Sequence, residues 1–242
     1  MSREKEIIAK NIAAMLHDGD FVNLGVGIPT LVSNYIPKDM TIMLHGENGS
    51  IGAKSQLPQE GIFDDSDTFL EWERNHSGDK GDYSTGHKDL VDAGGNPLIL
   101  WKGACCFDTG ISFAITRGGH LDMTVLGAMQ VDQRGNLANW LIPGKVATGM
   151  GGAMDIVSGT KNVVIATTLT NKKGEPKLLK KCTLPLTAVG CVSKIVTEKC
   201  IIDVEDNLFC VKSIFPGVSK SQISELVQGD ICFADHMALM LE

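Results

Sequence analysis

Aromatic residues make up only 5% of this 242-residue chain, and Lys or Arg never stand more than two in a row, as at Lys172-Lys173 and Lys180-Lys181. With 22 basic residues against 29 acidic ones, the formal charge is −7. A chain without a cationic track has nothing to follow a phosphate backbone, which argues against nucleic acid as a partner. Long apolar runs are missing as well. Charged or amide residues interrupt every hydrophobic stretch well before the roughly 18–20 residues that a membrane span needs, so no membrane association is expected. The opening Met1-Ser2-Arg3-Glu4-Lys5-Glu6 carries both signs of charge, unlike a signal or transit peptide, and cytoplasm is the expected compartment.

Metal-binding and disulfide patterns are also lacking. The cysteines Cys105, Cys106, Cys182, Cys191, Cys200, Cys210 and Cys232 are odd in number and include no C-x-x-C pair. Reduced, mostly buried thiols are the expectation, because a free Cys in a strand behaves as a small hydrophobe. The histidines show no H-x-x-x-H spacing, so no metal site is expected.

What is present is an ordinary globular composition, 43% hydrophobic and 21% charged, on a length that suits one large domain or two small ones. No linker divides the chain, and we read a single domain over 1–242. Residues 3–17 place Ile7, Ile8, Ile12, Met15 and Leu16 on one helical face, with Ser2 as N-cap and Gly19 as stop. A short strand over 20–24, a glycine turn, and helical spacing over 31–36 follow. The strand is repeated at 40–44, ending in His45-Gly46-Glu47-Asn48-Gly49. Strand, glycine turn and helix in succession predict an α/β fold with an open, mostly parallel sheet flanked by helices.

Further strands are predicted at 97–101, 123–126, 162–166, 193–197, 201–204 and 208–211. The last two form a hairpin across Glu205-Asp206-Asn207, a small antiparallel annex. A final helix is predicted over 218–227, capped by Ser219 or Ser221. Residues 56–89 break the rhythm. They are rich in Asp, Glu, Gly, Ser and His, and read as a surface excursion with one or two helical turns near 65–73.

Candidate chemistry gathers at the ends of the strands. Gly25-Val26-Gly27-Ile28-Pro29-Thr30 is no dinucleotide fingerprint, because Thr30 stands where the third glycine belongs and Pro29 removes an N–H. It does permit close backbone approach at a strand's carboxyl end, where open α/β sheets bind ligands; structural turn and ligand loop both remain open. Glu47 stands among small residues after the second strand. A helix cap or solvent-facing acid is its plainer reading, and a base or nucleophile the functional one. Gly149-Met150-Gly151-Gly152 can aim several N–H groups at one point, as an oxyanion requires, or simply turn the chain before a helix. Cys105-Cys106 with His120 is a weaker nucleophile and base, since nothing nearby lowers a thiol pKa.

Taken in order, Asn23-Leu24-Gly25-Val26-Gly27-Ile28-Pro29, Glu47-Asn48-Gly49, Arg117-Gly118-Gly119-His120 and Gly127-Ala128-Met129-Gln130-Val131 resemble the β subunit of family I coenzyme A transferases, the 3-oxoacid group. Gly135-Asn136-Leu137-Ala138-Asn139-Trp140, Gly149 to Asp155 and Lys181-Cys182-Thr183-Leu184-Pro185-Leu186-Thr187 continue the resemblance over nearly the whole chain. It implies the CoA-transferase fold and exchange of CoA between short-chain acids of the acetate, butyrate and acetoacetate type. Glu47 matches the catalytic glutamate that becomes a glutamyl-CoA thioester, and Gly152 matches the oxyanion donor. Asn23, Gly25, Gly27, Asn48, Gly49 and Gly151 are carried over as substrate- and CoA-binding positions.

The resemblance implies no cofactor, coenzyme A being a substrate. It also implies an α subunit as partner, in a heterodimer or an α2β2 assembly, without which the chain is inactive. Three departures stand out: the long segment between Glu47 and Arg117, Ala93-Gly94-Gly95 where relatives often have Lys after Ala-Gly, and Gly46 where they commonly carry Ser. The competing readings are a noncatalytic ligand-binding protein and a sugar-phosphate isomerase of the same broad fold.

Overall fold

The computed structural model describes residues 2–56, 62–63, 86–87, 89–95, 97–144, 149 and 151–242. The first helix, α1 (Arg3–Ala13), starts at Ser2 and buries Ile7, Ile8 and Ile12. Its cap differs from expectation: the Ser2 side chain makes no capping bond, and only the Ser2 carbonyl accepts, from the amides of Lys5 and Glu6. The chain turns at Gly19, with φ +88°, into β1 (Phe21–Leu24). The residues after the glycine loop form a 3-10 helix, Pro29–Tyr35, started by a proline whose missing N–H costs nothing at a helix N-terminus.

β2 (Met43–Gly46) runs parallel to β1 and turns back through a tight corner into β3 (Ser50–Gln56). Of the excursion at 56–89, the structure describes only residue 56, β4 (Ile62–Phe63) paired with β5 (Gly86–His87), and Asp89; the helical turns expected near 65–73 lie outside the described residues. β6 (Leu98–Cys106) leads through an Asp108 N-cap into α2 (Thr109–Arg117), a helix the sequence reading missed. Then come β7 (Met123–Leu126), β8 (Gln130–Asp132), β9 (Leu137–Ala138), α3 (Ala153–Gly159), β10 (Asn162–Ala166), β11 (Leu178–Leu179), β12 (Lys194–Val196), β13 (Cys200–Glu205), β14 (Leu208–Ile214), α4 (Lys220–Leu226) and β15 (Ile231–Leu239).

The main sheet has the order β15-β14-β13-β12-β10-β7-β1-β2-β3-β6. Its centre, β12 to β2, is parallel, and antiparallel strands extend it on both sides. The expected β13–β14 hairpin is present, with Asp206 and Asn207 both at positive φ, as a two-residue turn that follows the strand twist requires. The central strands are covered on both faces. Val163 and Ile165 of β10 enter one core with Ala153, Val157 and Ile223, while Val164 and Ala166 enter the other with α1. Alternation of this kind is the period-two geometry of a strand placed between helix layers.

Two expectations about the thiols are corrected. Cys105, Cys106, Cys182, Cys191 and Cys200 are free, but of these only Cys200 is buried and the first two are exposed, whereas Cys210 and Cys232 are joined in a disulfide. The parallel register of β14 and β15 sets these two residues side by side, with Cα atoms 4.7 Å apart, a relation that their separation in the sequence does not reveal.

Candidate active site

From β1 the neighbouring strand is β2 on one side and β7 on the other, so the strand order changes direction here. Crevices at such points are where open α/β sheets hold ligands. The carboxyl ends of β1 and β2 border a cavity of about 80 Å³, lined by Asn23, Gly25, Leu44, Glu47, Ser50, Ala53, Ala93 and Leu98 among others.

Glu47 stands on the corner between β2 and β3, and its flanking residues are small for steric reasons. The Gly49 amide donates to the Gly46 carbonyl at 2.9 Å, closing the turn. Gly49 has φ +114°, and a Cβ there would stand 1.9 Å from the Phe107 carbonyl oxygen. The Phe107 amide in turn donates to the Gly49 carbonyl at 2.9 Å. At Gly46 a Cβ would meet Ser50 Oγ at 2.6 Å and Asn48 Oδ1 at 2.9 Å. Asn48 is exposed and its Nδ2 donates to the Val91 carbonyl at 2.8 Å, tying the corner to the segment that contains Ala93. Asn48 and Gly49 thus hold the turn, while Glu47 projects from it.

The glycine run before α3 meets that carboxylate. The Gly152 amide donates to Glu47 Oε1 at 3.3 Å. A Cβ on Gly152 would lie 3.0 Å from Glu47 Oε2, and one on Gly151, at φ +53°, 3.3 Å from Oε1. These two glycines let backbone approach a carboxylate more closely than any side chain would allow.

Behind Glu47 lies a buried polar chain. Asn23 is 2% exposed; its Nδ2 donates to the His45 carbonyl at 3.1 Å and lies 3.3 Å from His45 Nδ1, and its Oδ1 accepts from Thr124 Oγ1 at 3.2 Å. His45 Nε2 is 2.9 Å from Ser112 Oγ, which donates to the Gly46 carbonyl at 3.3 Å. One proton arrangement satisfies every member: the Asn23 amide donates to Nδ1, so Nε2 carries the hydrogen and donates to Ser112. Burial pushes the His45 pKa down to about 4, so the imidazole is neutral. Ser50 is the exception nearby, its buried Oγ having no partner among the described residues.

The structure therefore brings Glu47, Gly151 and Gly152 together and sets Asn23 and Gly25 along the same cavity. Gly27, exposed at φ +97°, lies outside its lining. The rival cysteine pair is not set beside its candidate base: Cys105, Cys106 and His120 are exposed, and α2, about 13 Å long at 1.5 Å per residue, stands between the cysteines and the histidine. Among the described residues no group of three His, Cys, Asp or Glu side chains is placed to hold a metal. The sequence pattern does not single out His45, Ser112 or Ser50: the histidine spacing speaks only to metal binding, and Ser112 lies on a helix that the pattern does not predict.

The description "Coenzyme A transferase" belongs to the family model that matches residues 5–65 and 85–226. The chain belongs to the coenzyme A transferase family. It is 42% identical to the acetate CoA-transferase subunit beta of Haemophilus influenzae over 231 residues, 96% of this chain and 92% of that one. It is 43% identical over 198 residues, 81% of this chain, to the mitochondrial succinyl-CoA:3-ketoacid coenzyme A transferase 2B of Mus musculus, where it covers 34% of the longer protein. Among solved structures, an acyl-CoA transferase from Escherichia coli O157:H7 matches 99% of this chain and 43% of its own length, with TM-score 0.69 at 19% identity. The glutaconate coenzyme A-transferase of Acidaminococcus fermentans matches 98% of this chain and 88% of its own, with TM-score 0.63 at 16% identity. The decarboxylase AibA/AibB, at TM-score 0.63 and 13% identity, shares the fold too, so chemistry has to be argued from the site.

Proposed function

We propose that this chain is the β subunit of an acyl-CoA:carboxylate CoA-transferase that uses Glu47 as nucleophile. The observation that carries the reading is the Glu47 carboxylate on a glycine-bounded corner, in hydrogen-bond contact with the Gly152 amide. A carboxylate oxygen adds to the acyl thioester carbonyl, and the CoA thiolate leaves to give a mixed anhydride. The thiolate then adds to the Glu47 carbonyl carbon and expels the first acid as its carboxylate, leaving a glutamyl-CoA thioester. A second carboxylate runs the two steps in reverse.

The donor's position suits part of this sequence. Gly152 N–H lies at an oxygen of Glu47 itself, so it serves the adducts in which the Glu47 carbon is tetrahedral. Losing such a donor typically costs about 10²–10³ in rate. Adducts centred on the substrate carbon call for a donor elsewhere, which we assign to an α subunit that completes the site in a heterodimer or an α2β2 particle.

Short acids suit the cavity. One water-sized group needs about 10–15 Å³, so a cavity of about 80 Å³ takes an acyl chain of the acetate, butyrate or acetoacetate class. Coenzyme A is a substrate in this reading, and no other cofactor takes part. A cytoplasmic location is part of the same proposal.

The test is the intact mass of the chain, assembled with its α subunit and incubated with acetoacetyl-CoA or butyryl-CoA, followed by peptide mapping. A coenzyme-sized addition on the Glu47 peptide that acetate discharges is the expected result, with Glu47→Gln slow and Glu47→Ala inactive. No adduct with any acyl-CoA would refute the mechanism and favour the ligand-binding or isomerase readings.

A further inference from the structure

None of the positions read as site residues from the sequence lies on α2, yet two adjacent side chains of that helix reach both halves of the site. Ser112 is fully buried and donates to the carbonyl of Gly46, the residue directly before Glu47. Phe113 lies against the other half: its Cε1 and Cζ atoms are 2.7 and 2.9 Å from where a Cβ on Gly152 would stand. Successive helical residues diverge by about 100° around the axis, which is how neighbours in the sequence come to face two different loops. One turn further on, Arg117 reaches α3, with Nε and Nη2 at 2.8 and 2.7 Å from Asp155 Oδ1.

We propose that α2 is the spacer that sets the distance between the Glu47 carboxylate and the Gly152 amide, with Ser112 and Phe113 as positioning residues and His45 as the link to the sheet. The proposal rests on the reading of Glu47 as nucleophile. Its physical basis is the closure of the hydrogen-bond chain. Thr124 holds Asn23, Asn23 holds His45, His45 holds Ser112, and Ser112 holds the Gly46 carbonyl.

A buried chain with every member satisfied resists movement, because displacing one group strands its neighbours without partners. The reaction makes such rigidity useful: addition occurs in turn at the substrate carbon and at the Glu47 carbon, while the amide donor belongs to a different loop. A displacement of about 1 Å at a reacting group can cost about 100-fold. Phe113 supplies the opposing stop, since its ring closes the space into which Gly152 would otherwise relax.

The experiment uses the assembled α and β subunits and follows formation of the coenzyme adduct on Glu47 by intact mass, across a series of acyl-CoA concentrations. Ser112→Ala and Phe113→Leu should each slow adduct formation at saturation by about 10- to 100-fold, with the half-saturating concentration unchanged. His45→Gln, whose amide nitrogen overlays Nε2 and keeps the bond to Ser112, should retain most of the rate. His45→Asn overlays Nδ1, cannot reach Ser112, and should fall with Ser112→Ala. A role in packing alone would leave His45→Leu, which fills the space but cannot donate to Ser112, as active as His45→Gln.

A second arm does not depend on Ser112→Ala folding. Gly152→Ala should slow the reaction, and Phe113→Leu should recover part of that loss by making room for the methyl group. Wild-type rates in Ser112→Ala and Phe113→Leu, or losses in the Gly152 and Phe113 pair that simply multiply, would overturn the spacer while leaving the nucleophile intact. Failure of the wild-type enzyme to form any adduct would overturn the nucleophile and the spacer together.

Discussion

Lowering the pH should destabilise this protein through His45. Its side chain is buried, at 3% exposure for the residue, and burial depresses its pKa from 6.5 to about 4. The unfolded chain holds this proton more tightly than the folded one, so stability is lost as pH falls from 7 through 6.5 toward 4. Each pH unit in that window costs about 1.4 kcal/mol per group. Between pH 7 and pH 5 the loss attributable to His45 is about 2 kcal/mol, reaching about 3 kcal/mol at pH 4. Protonation also converts Nδ1 from acceptor to donor and sets it against the Asn23 amide.

The assay is urea unfolding of the wild type and His45→Gln at pH 7, 6 and 5, in the same assembled enzyme. Taking the difference between the two removes the contribution of every other titrating group. The wild type should lose about 2 kcal/mol more than the variant over this range. Parallel slopes, or an imidazole resonance of His45 titrating at 6.5 or above, would refute the reasoning.

Gly46→Ala should cost about 1–3 kcal/mol by overpacking against Ser50 Oγ and Asn48 Oδ1, and Ser50→Ala in the same chain should restore part of it, as measured by denaturant midpoints. Ser50→Ala alone should be neutral or slightly stabilising in the same assay, since it removes a buried hydroxyl that has no partner. Gly49→Ala should prevent folding of the corner or of the whole chain, because its methyl group would overlap the Phe107 carbonyl at 1.9 Å; yield of soluble protein and circular dichroism check this. At α4, where Ser219 and Gln222 form a complete capping box, Ser219→Ala should lower stability by about 1 kcal/mol without changing turnover.

Much of the frame was legible because it is set by local rules. β7 and β10 fall at the predicted residues, since short apolar runs bounded by polar residues have few other uses. The hairpin at Asp206 and Asn207 and the cap at Ser219 are written in turn and capping chemistry. Glu47 among glycines at the end of a strand could be singled out, and so could the glycine run at 149–152. α2 was missed because Thr109-Gly110-Ile111 opens with weak helix formers; its start depends on Asp108 accepting from the Ile111 amide.

By itself, the sequence determined the fold class, the parallel central strands, and the family to which the nucleophile candidate belongs, but not β3, β8, β9 or β11, whose short runs lack a clear apolar pattern. Only the tertiary structure decided which groups meet. The contact between Glu47 and Gly152 spans 105 positions and that between His45 and Ser112 spans 67. Pattern and propensity act over a few neighbours, whereas these pairs are set by strand order and helix packing. The same holds for Asn23: its motif says nothing of its partners, whereas the register of β1 between β2 and β7 sets it on the cavity with its amide bonded to His45 and Thr124.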